Sequence, residues 1–409
     1  MSERTIAALI LAPTPEHERV VTGLRLGPRA RRVAERAGIP PERVFVARTP
    51  AELDRAAASL HDSPLLLVRA TGQVVAPPLL EPLRLEEPGT RVAIDPGRGG
   101  EYAGALRAEP DRAAEVLDAL RQDFADGDRS LAERWPHANR VEIGPRARHA
   151  AATPDEARAA DAWQWQLNVL QKPLDGFFTR RFWRPLARPF TRLFLRLPLS
   201  PNQISILAML GGVAGCIIGA GPTYWDHLLG MAILFVSAVG DNIDGEVARL
   251  RLQTSKLGAF LDEIGDDTAR VATLLAVGWH VAARHPDLPV RAVTLGTLGA
   301  TLATLALIYW YCARVAGSPN NQEYTRVLGA GPGVDGPDGR RSLRRTLGDV
   351  AAHAARREFI DLFVFATAVL DLPELSLVGL VAGAAAALAL VAATHLRLRR
   401  ERQAVETRR

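Results

Sequence analysis

The sequence predicts two unlike halves: a soluble N-terminal α/β domain and a C-terminal α-helical membrane domain with six transmembrane helices. Three observations lead to this fold class. Short apolar runs alternate with helical segments up to about residue 150, as in a sheet flanked by helices. Long apolar runs fill residues 203–395, and most approach the ~20 residues that cross a bilayer. Between the halves, arginines alternate with large apolar side chains.

The N-terminal half alternates between predicted strands and predicted helices, and this alternation predicts a parallel sheet. The strands are predicted at 5–12, 42–47, 64–70 and 91–95, and the helices at 29–38, 51–60 and 112–124. The run TIAALILA lacks the basic segment of a secretory signal and is interpreted as the first strand. Residues 128–160, rich in arginine and proline, are expected to be a linker before a helix near 155–171 that carries Trp163 and Trp165.

The segment 174–197 predicts an amphipathic helix in the membrane interface, although a basic linker has a similar composition. Phenylalanines, leucines and Trp183 alternate there with arginines at roughly helical spacing, with a proline break or two. The motif LSPNQIS then starts the first membrane span. Ser200 is the expected N-cap, and Pro201 takes the first helical position.

The membrane half contains six candidate spans, and the fifth is short. They cover about 203–220, 227–247, 257–283, 292–315, 359–371 and 374–395. Arginines crowd before the first span, in the link between spans four and five, and in the C-terminal tail. The positive-inside rule therefore places the termini, and the loop 249–256, on the cytoplasmic side of the cell membrane.

Composition excludes some alternatives. The net charge is +5, but the arginines lie beside apolar runs, which favours an anionic membrane surface over nucleic acid as the partner. Cys216 and Cys312 both fall inside apolar runs, so they are expected to be packing residues and not a disulfide or a metal site.

Four aspartates interrupt the second and third spans. Asp241 and Asp244 are three residues apart, and Asp262 and Asp266 are four apart, so each pair lies on one face of its helix. A carboxylate at the centre of a membrane helix costs ~2.5–3.5 kcal/mol, so such residues need partners. The short intervening segment makes the two helices antiparallel neighbours, and their carboxylates are expected to form one cluster.

Four close carboxylates do not all stay ionised without cations. Arginines at a wet helix end could supply the positive charge. An oxygen-only set without histidine or thiol is, however, the ligand set for Mg²⁺, Mn²⁺ or Ca²⁺, and two such ions suit phosphoryl transfer. Gly245 and Gly258 allow close approach of backbone or ligand, while Arg249 and Lys256 offer charge for phosphate.

These residues resemble the signature of the CDP-alcohol phosphotransferase family. The matching run is Asp241-x2-Asp244-Gly245-x2-Ala248-Arg249-x8-Gly258-x3-Asp262-x3-Asp266. The resemblance implies six transmembrane helices, a homodimer and Mg²⁺ or Mn²⁺. It also implies transfer of a phospho-alcohol group from a CDP-alcohol to a hydroxyl acceptor, with release of CMP.

The resemblance also implies a role for each matched position. Asp241, Asp244 and Asp262 would be metal ligands, and Asp266 would share the metal and act as the base on the acceptor hydroxyl. The CDP site would be lined by Gly245, Ala248, Arg249 and Gly258. Asp267 stands where many members have a basic residue, which puts acceptor recognition in doubt more than catalysis.

The order of the halves resembles fused cytidylyltransferase–phosphotransferases that make di-myo-inositol phosphate. An active nucleotidyltransferase would need a glycine-rich loop after its first strand and a metal-binding Asp after LLLV. The sequence has APTPEHERVVTGLRLGPRARR and LLLVRATGQVV, with Ala70 and Thr71 near the expected Asp. We therefore expect a nucleotidyltransferase-like but inactive domain at 1–150, a linker and juxtamembrane helix at 151–200, and the membrane domain at 201–400.

The leading hypothesis is a Mg²⁺-dependent transferase that uses CDP-inositol or CDP-diacylglycerol, with an inositol or inositol phosphate as acceptor. An intramembrane prenyltransferase also binds Mg²⁺-pyrophosphate through aspartate-rich helices, but its pairs are spaced differently. A cation-coupled transporter would use the carboxylates as ion ligands without needing the full signature. Release of CMP from a CDP-alcohol separates the first hypothesis from both alternatives.

Overall fold

The computed structural model describes residues 6–13, 18–60, 63–85, 89–135, 137–170, 179–316 and 357–406. The chain forms two compact units. The first comprises Met1–Pro173 together with Glu246–Gln253, and the second comprises Leu174–Gly245 together with Thr254–Arg409. The short segment 246–253 therefore belongs to the first unit although the membrane half surrounds it in sequence.

The first unit is built on a six-stranded mixed sheet. Its strands are β1 Ala7–Leu11, β4 Val44–Ala47, β5 Leu65–Arg69, β7 Arg91–Asp95, β8 Glu101–Ala108 and β9 Asn139–Glu142, in the order β4-β1-β5-β8-β7-β9. Two short pairs accompany it: β2 Val20–Val21 with β3 Leu24–Arg25, and β6 Gln73–Val75 with β10 Arg148–Ala150. The helices are α1 Leu26–Arg36, α2 Pro50–Ala57, α3 Glu81–Leu85, α4 Pro110–Gln122, α5 Gly127–Arg134 and α6 Pro154–Trp165.

Both faces of this sheet are buried, which explains the continuous apolar runs in the sequence. Along β1, Ala8 and Ile10 belong to one apolar cluster, whereas Leu9 and Leu11 belong to another. Alternate residues of a strand point to opposite faces, so the two clusters lie on the two sides of the sheet. The four predicted strands and three predicted helices are all present, within a few residues of their expected ends.

The prediction of a purely parallel sheet was wrong. Strand β8 runs antiparallel to both β5 and β7, while β4, β1 and β5 are mutually parallel. The sequence EYAGALRA has no β-branched residue and a glycine at its centre, so strand propensity does not reveal it. Gly104 has φ +79, and a Cβ there would lie 2.4 Å from the Gln73 amide nitrogen, so a glycine is required.

The prediction of a linker at 128–160 was also wrong. This stretch contains α5, the edge strand β9, which pairs in parallel with β7, and most of α6. Trp135, Val141 and Ile143 are buried in the two cores. A high content of arginine and proline is typical of irregular segments. Here, however, these three buried apolar side chains pack the segment against the sheet. The helix expected near 155–171 is α6, followed by a π-helical turn at Gln166–Leu170, and residue 171 lies outside the described residues.

The second unit is helical. After a π-helical turn at Thr179–Trp183 come α7 Arg184–Phe194, α8 Pro201–Gly219, α9 Tyr224–Leu250, α10 Lys256–Arg284, α11 Val290–Tyr311 with a π-helical turn at Cys312–Ala316, α12 Arg357–Val369 and α13 Pro373–Glu406. Helices α8 and α9 approach closely, because a Cβ on Gly230 would lie 2.3 Å from the backbone of Gly219. Cys216 and Cys312 are both buried and unbridged, in agreement with a packing role.

A helix stands at each of the six predicted spans, and four of them are long and apolar enough to cross a membrane. These four are Pro201–Gly219, Tyr224–Leu250, Val290–Val315 and Pro373–Leu398, and a shorter apolar helix covers Phe359–Val369. The arginine-rich link expected between spans four and five falls mainly on 317–356, outside the described residues.

The juxtamembrane segment forms a helix with two distinct faces. The side chains of Trp183, Ala187, Thr191 and Leu195, spaced by four, are buried. Phe190 and Leu193 are exposed on the other side, and Pro189 lies inside the helix. Residues 174–178 of the predicted segment lie outside the described residues.

The predicted start of α8 is confirmed. Ser200 and Gln203 form a capping box, and Pro201 takes the first helical position.

Candidate active site

The two helices that flank the turn 251–255 carry the predicted carboxylates. Asp241 and Asp244 lie in α9, and Asp262 and Asp266 lie in the first three turns of α10. Ser255 caps α10, because its side chain accepts a hydrogen bond from the amide of Gly258 at 2.9 Å. The short turn and the cap fix where α10 begins, and hence the register of its aspartates.

Arg357, from the start of α12, joins carboxylates of both helices. Its Nη1 lies 3.3 Å from Asp241 Oδ1 and donates a hydrogen bond to Asp266 Oδ1. Its Nε lies 3.3 Å from Oδ2 of Asp361, a buried residue one turn further along α12. One guanidinium therefore contacts three carboxylates, and the predicted meeting of Asp241 with Asp266 is observed.

The other two predicted aspartates have different surroundings. Asp244 is buried and accepts a hydrogen bond from the Ser205 hydroxyl of α8. Asp262 is exposed on the first turns of α10. The sequence pattern placed all four in one cluster, and the contacts described join Asp241 and Asp266 through the guanidinium of Arg357.

The donor chemistry of the site fits a hard divalent cation. Asp241 and Asp266 both reach the same guanidinium nitrogen, so both can reach one positive centre. Carboxylate oxygens are the ligands that Mg²⁺ and Mn²⁺ take in proteins. Among the described residues, no three Asp, Glu, His or Cys side chains are arranged to hold a metal ion.

The remaining signature positions lie at the end of α9 and the start of α10. A Cβ on Gly258 would lie 3.2 Å from the Asn202 side-chain oxygen, so this glycine lets the first turn of α10 approach α8. Gly245 and Ala248 are half-buried in α9. Arg249 donates from Nε to the backbone oxygen of Asn168 at 2.9 Å, which fixes the direction of its guanidinium.

Asp267 has a defined structural role. It accepts a hydrogen bond from the Tyr309 hydroxyl at 2.7 Å and one from Arg270 at 2.8 Å. The acidic residue at this position is therefore used to tie α10 to α11.

Sequence analysis missed Arg357, Asp361 and Ser205. Arg357 and Asp361 are spaced as i, i+4, and such pairs are common on solvent-exposed helix faces, so they carried no distinct signal. A buried charge is the clue that could have found them, because Asp361 interrupts the apolar run EFIDLFVF. Ser205 is one polar residue among several near the start of α8.

The first unit has its own polar cavity, of about 430 Å³, at the carboxyl ends of β5 and β7. Arg69 lines it, next to Ala70 and Thr71, near which a metal-binding Asp was expected, and it forms a two-point ion pair with the fully buried Asp128. Burial alone would lower the pKa of Arg69, but the hydrogen bond and the charge of Asp128 raise it. Residues 14–17, in the loop after β1, lie outside the described residues.

A family model matches the part of the chain that holds the carboxylates. Residues 198–325 match the model of the CDP-alcohol phosphatidyltransferases. All eight signature positions, from Asp241 to Asp266, lie inside the matched range, whereas Arg357 and Asp361 follow it.

Curated transferases and synthases are similar to part of the chain. A protein named bifunctional IPC transferase and DIPP synthase, from Aquifex aeolicus, is 30% identical over 141 residues, which are 34% of this chain and 31% of that protein. A phosphatidylinositol phosphate synthase from Streptomyces avermitilis is 30% identical over 125 residues, which are 30% of this chain and 44% of that protein. The chain thus spans less than half the length of either relative.

A solved structure also resembles the chain. It is the Mycobacterium tuberculosis phosphatidylinositol phosphate synthase with CDP-DAG bound. The likeness covers 52% of this chain and 94% of that one, at 22% identity and a TM-score of 0.28.

Proposed function

We propose that the protein is a divalent-metal-dependent CDP-alcohol phosphotransferase of the cytoplasmic membrane. It transfers a phospho-alcohol group from a CDP-alcohol, either CDP-inositol or CDP-diacylglycerol, to the hydroxyl of an inositol or inositol phosphate, and releases CMP. The acceptor class is supported by the names of the relatives, since one is a phosphatidylinositol phosphate synthase.

One observation carries this proposal. Asp241 of α9 and Asp266 of α10 both contact the guanidinium of Arg357, and both aspartates lie in the range that matches the family model. An arginine pair alone would explain their meeting, but the match of the whole signature to a family of transferases favours a catalytic cluster. Intramembrane carboxylates are costly, so a cluster of them marks a function.

Asp241, Asp244 and Asp262 are the proposed metal ligands, with Asp266 sharing the site. A bound Mg²⁺ or Mn²⁺ would neutralise charge on the diphosphate of the donor. The Ser205 hydroxyl orients the Asp244 carboxylate, as supporting hydrogen bonds commonly do for metal ligands.

The reaction needs one base and no covalent intermediate. The acceptor oxygen forms a bond to the phosphorus that bears the alcohol. The bond from that phosphorus to the oxygen of CMP breaks, and CMP leaves with the electron pair. Asp266 accepts the proton of the acceptor hydroxyl, because a base must lie within hydrogen-bond reach of the proton that it removes.

The CDP group is proposed to lie along the four non-acidic signature residues, which are Gly245, Ala248, Arg249 and Gly258. The described contacts give two of them a defined setting. Arg249 donates a hydrogen bond to the Asn168 carbonyl, and Gly258, in the first turn of α10, lies close to the Asn202 side chain. A guanidinium offers planar, charged donors that suit phosphate oxygens.

The remaining architecture is proposed as six membrane spans with cytoplasmic termini, in a homodimer. Protein buries 17% of the residues in the most apolar stretch of α13 and 28% of those in α8, so a lipid environment must cover most of the rest. Residues 1–150 are proposed as an inactive nucleotidyltransferase-like domain, 151–200 as the connecting segment and 201–400 as the membrane domain.

The test is release of CMP by the purified full-length chain. CDP-inositol and CDP-diacylglycerol would each be supplied with Mg²⁺ and with inositol or inositol phosphate. We expect acceptor-dependent CMP release with one donor, and its loss on chelation of the metal. If no CDP-alcohol yields CMP with either acceptor, the proposal is wrong, and a transporter or prenyltransferase assay becomes the next experiment.

A further inference from the structure

The C-terminal end of α9 is unusual. Leu252 has φ +54, a left-handed conformation in which glycine is the ordinary residue after a helix. The amide of Leu252 donates to the oxygen of Arg249 at 3.2 Å, and that of Gln253 to the oxygen of Ala248 at 2.7 Å. This is the Schellman arrangement, built here on a leucine whose side chain is buried in an apolar cluster with residues of α1 and β1.

A helix leaves its last carbonyls without intrahelical donors. The backbone arrangement satisfies Ala248 and Arg249, and leaves Leu250 and Arg251. Arginines of α1 satisfy both of these. Arg29 donates from Nη2 to the oxygen of Leu250 at 2.7 Å, and Arg32 donates from Nη1 to the oxygen of Arg251 at 2.6 Å.

Further hydrogen bonds hold Arg29 in this position. It is fully buried, and it also donates to Thr22 Oγ1 at 2.7 Å and to Gln164 Oε1 at 3.2 Å. Burial, reinforced by the charge of Arg32, lowers the pKa of Arg29 to about 10, so the guanidinium stays charged at neutral pH. A cation at the C-terminus of a helix is stabilised by the helix dipole.

The same small network reaches a signature residue. Gln164, which accepts from Arg29, also accepts a hydrogen bond from the Asn168 side chain at 2.7 Å. The backbone oxygen of Asn168 accepts from Arg249 Nε. All of these residues belong to the first compact unit. The arginine of the signature is thus fixed by residues 22–168, which lie before the membrane half in sequence.

We propose that Arg29 is a positioning residue for the transferase. Together with Arg32 and the buried Leu252, it holds the last turn of α9 so that Arg249 presents its guanidinium to the CDP-alcohol. Residues that precede the membrane half in sequence thus fix the direction of the Arg249 guanidinium. This inference rests on the proposed function, because it assigns Arg249 to the CDP site.

The test compares neighbouring arginines of α1 in the full-length chain. The variants are Arg29→Met and the milder Arg32→Gln. The control is Arg31→Gln, because Arg31 is exposed and pairs with Glu35 four residues on. Two quantities are measured: hydrogen exchange of the Leu252 and Gln253 amides, and kcat and KM for the CDP-alcohol. Arg29→Lys restores the charge and one donor.

We expect Arg29→Met to speed exchange of both amides about tenfold, since a hydrogen bond to a charged group is lost. The donor KM should rise by a similar factor while kcat changes little, because Arg249 is neither a proposed metal ligand nor the proposed base. Arg32→Gln should have a smaller effect on both quantities, Arg29→Lys should partly restore them, and Arg31→Gln should change neither.

Unchanged exchange in both Arg29→Met and Arg32→Gln would overturn the inference. So would faster exchange with an unchanged donor KM, since the turn would then be held for stability alone. If Arg29→Met does not fold, Arg32→Gln decides by the same two readouts. Failure of the proposed function is distinguishable, because the unmodified chain would then show no transfer at all while the exchange measurement still reports on the turn.

Discussion

Two arginine–aspartate clusters, one in each compact unit, differ in the residues that they bring together. In the first unit, Arg69 and Arg129 face Asp126 and Asp128, two cations and two anions. In the second, the single guanidinium of Arg357 contacts Asp241, Asp266 and Asp361. Arg69 and Asp128 form a buried pair of opposite charges, whereas the carboxylates that contact Arg357 come from three different helices.

The charges around Arg69 stabilise the fold, whereas those of the aspartates in α9 and α10 are proposed to serve the reaction. Arg69 holds Asp128 with two hydrogen bonds and also donates to the oxygen of Ala125 at 2.7 Å, so its donors are used within the fold. The aspartates of α9 and α10 reach a shared centre from different helices. Their substitution should therefore change activity more than stability, and the reverse should hold for Arg69.

The largest expected effect is that of the proposed metal ligands. Asp241→Asn and Asp262→Asn each remove one charge and keep the size of the side chain. Each should lower kcat at saturating CDP-alcohol by ~10²–10³-fold, as loss of a preorganised electrostatic contact does. The measurement is CMP release, with Mn²⁺ binding followed in parallel. Near-normal turnover with unaltered Mn²⁺ binding in either variant would contradict the assignment.

Asp266→Asn should separate binding from chemistry. A general base contributes ~10²–10⁴-fold in rate, so turnover should fall by about that factor. Affinity for the CDP-alcohol should be spared, because the donor diphosphate would still be held through Asp241, Asp244 and Asp262. Donor affinity and single-turnover rate are measured separately. A collapse of affinity with a normal rate at saturating donor would make Asp266 a structural ligand instead of the base.

Arg69→Met should break the balanced cluster. It leaves the fully buried Asp128 without its partner, and such losses destabilise by about 3–5 kcal/mol. Hydrogen exchange of the β5 amides measures the free energy of opening. Arg121→Met is the control, because its pairs with Asp54 and Asp118 are exposed and should be worth under ~1 kcal/mol.

A second change sharpens the Arg69 test. Combining Arg69→Met with Asp128→Leu removes both charges and should recover most of the lost stability. CMP release by the folded Arg69→Met protein should stay near that of the unmodified chain. A large loss of CMP release without loss of stability would show that the balanced cluster also serves chemistry, and the contrast between the clusters would fail.

Local patterns in the sequence predicted much of this molecule. Spacings of three and four placed each aspartate pair on one helix face, and LSPNQIS predicted the capped start of α8. Continuous apolar runs revealed β1 and β5, because a strand buried on both faces leaves that signal. These features depend on residues close together in sequence.

What the sequence did not reveal depends on residues far apart. Arg357 meets Asp241 and Asp266 across about a hundred residues, and no local pattern marks such a partner. Strand β8 is stabilised by its two neighbours and not by its own propensity. Leu252 follows α9 at a position where glycine is the usual residue, and the burial of its side chain explains why a leucine is tolerated there.

The smallest expected signal comes from the first unit, whose cavity should show no nucleotidyltransferase activity. Nucleotidyl transfer needs a carboxylate to hold Mg²⁺ against the triphosphate, and Ala70 and Thr71 stand near the position after LLLV where that carboxylate was expected. The neighbouring Arg69 already pairs with Asp128, and a guanidinium attracts phosphate but does not bind a metal ion. The full-length chain incubated with CTP, Mg²⁺ and inositol phosphate should release pyrophosphate no faster than a blank without protein.

The Asp241→Asn variant is the control, because it removes any transfer that would consume a newly made CDP-alcohol. Pyrophosphate release above the blank, retained in that variant, would show that the first unit makes its own CDP-alcohol and that the two clusters differ less than their charges indicate.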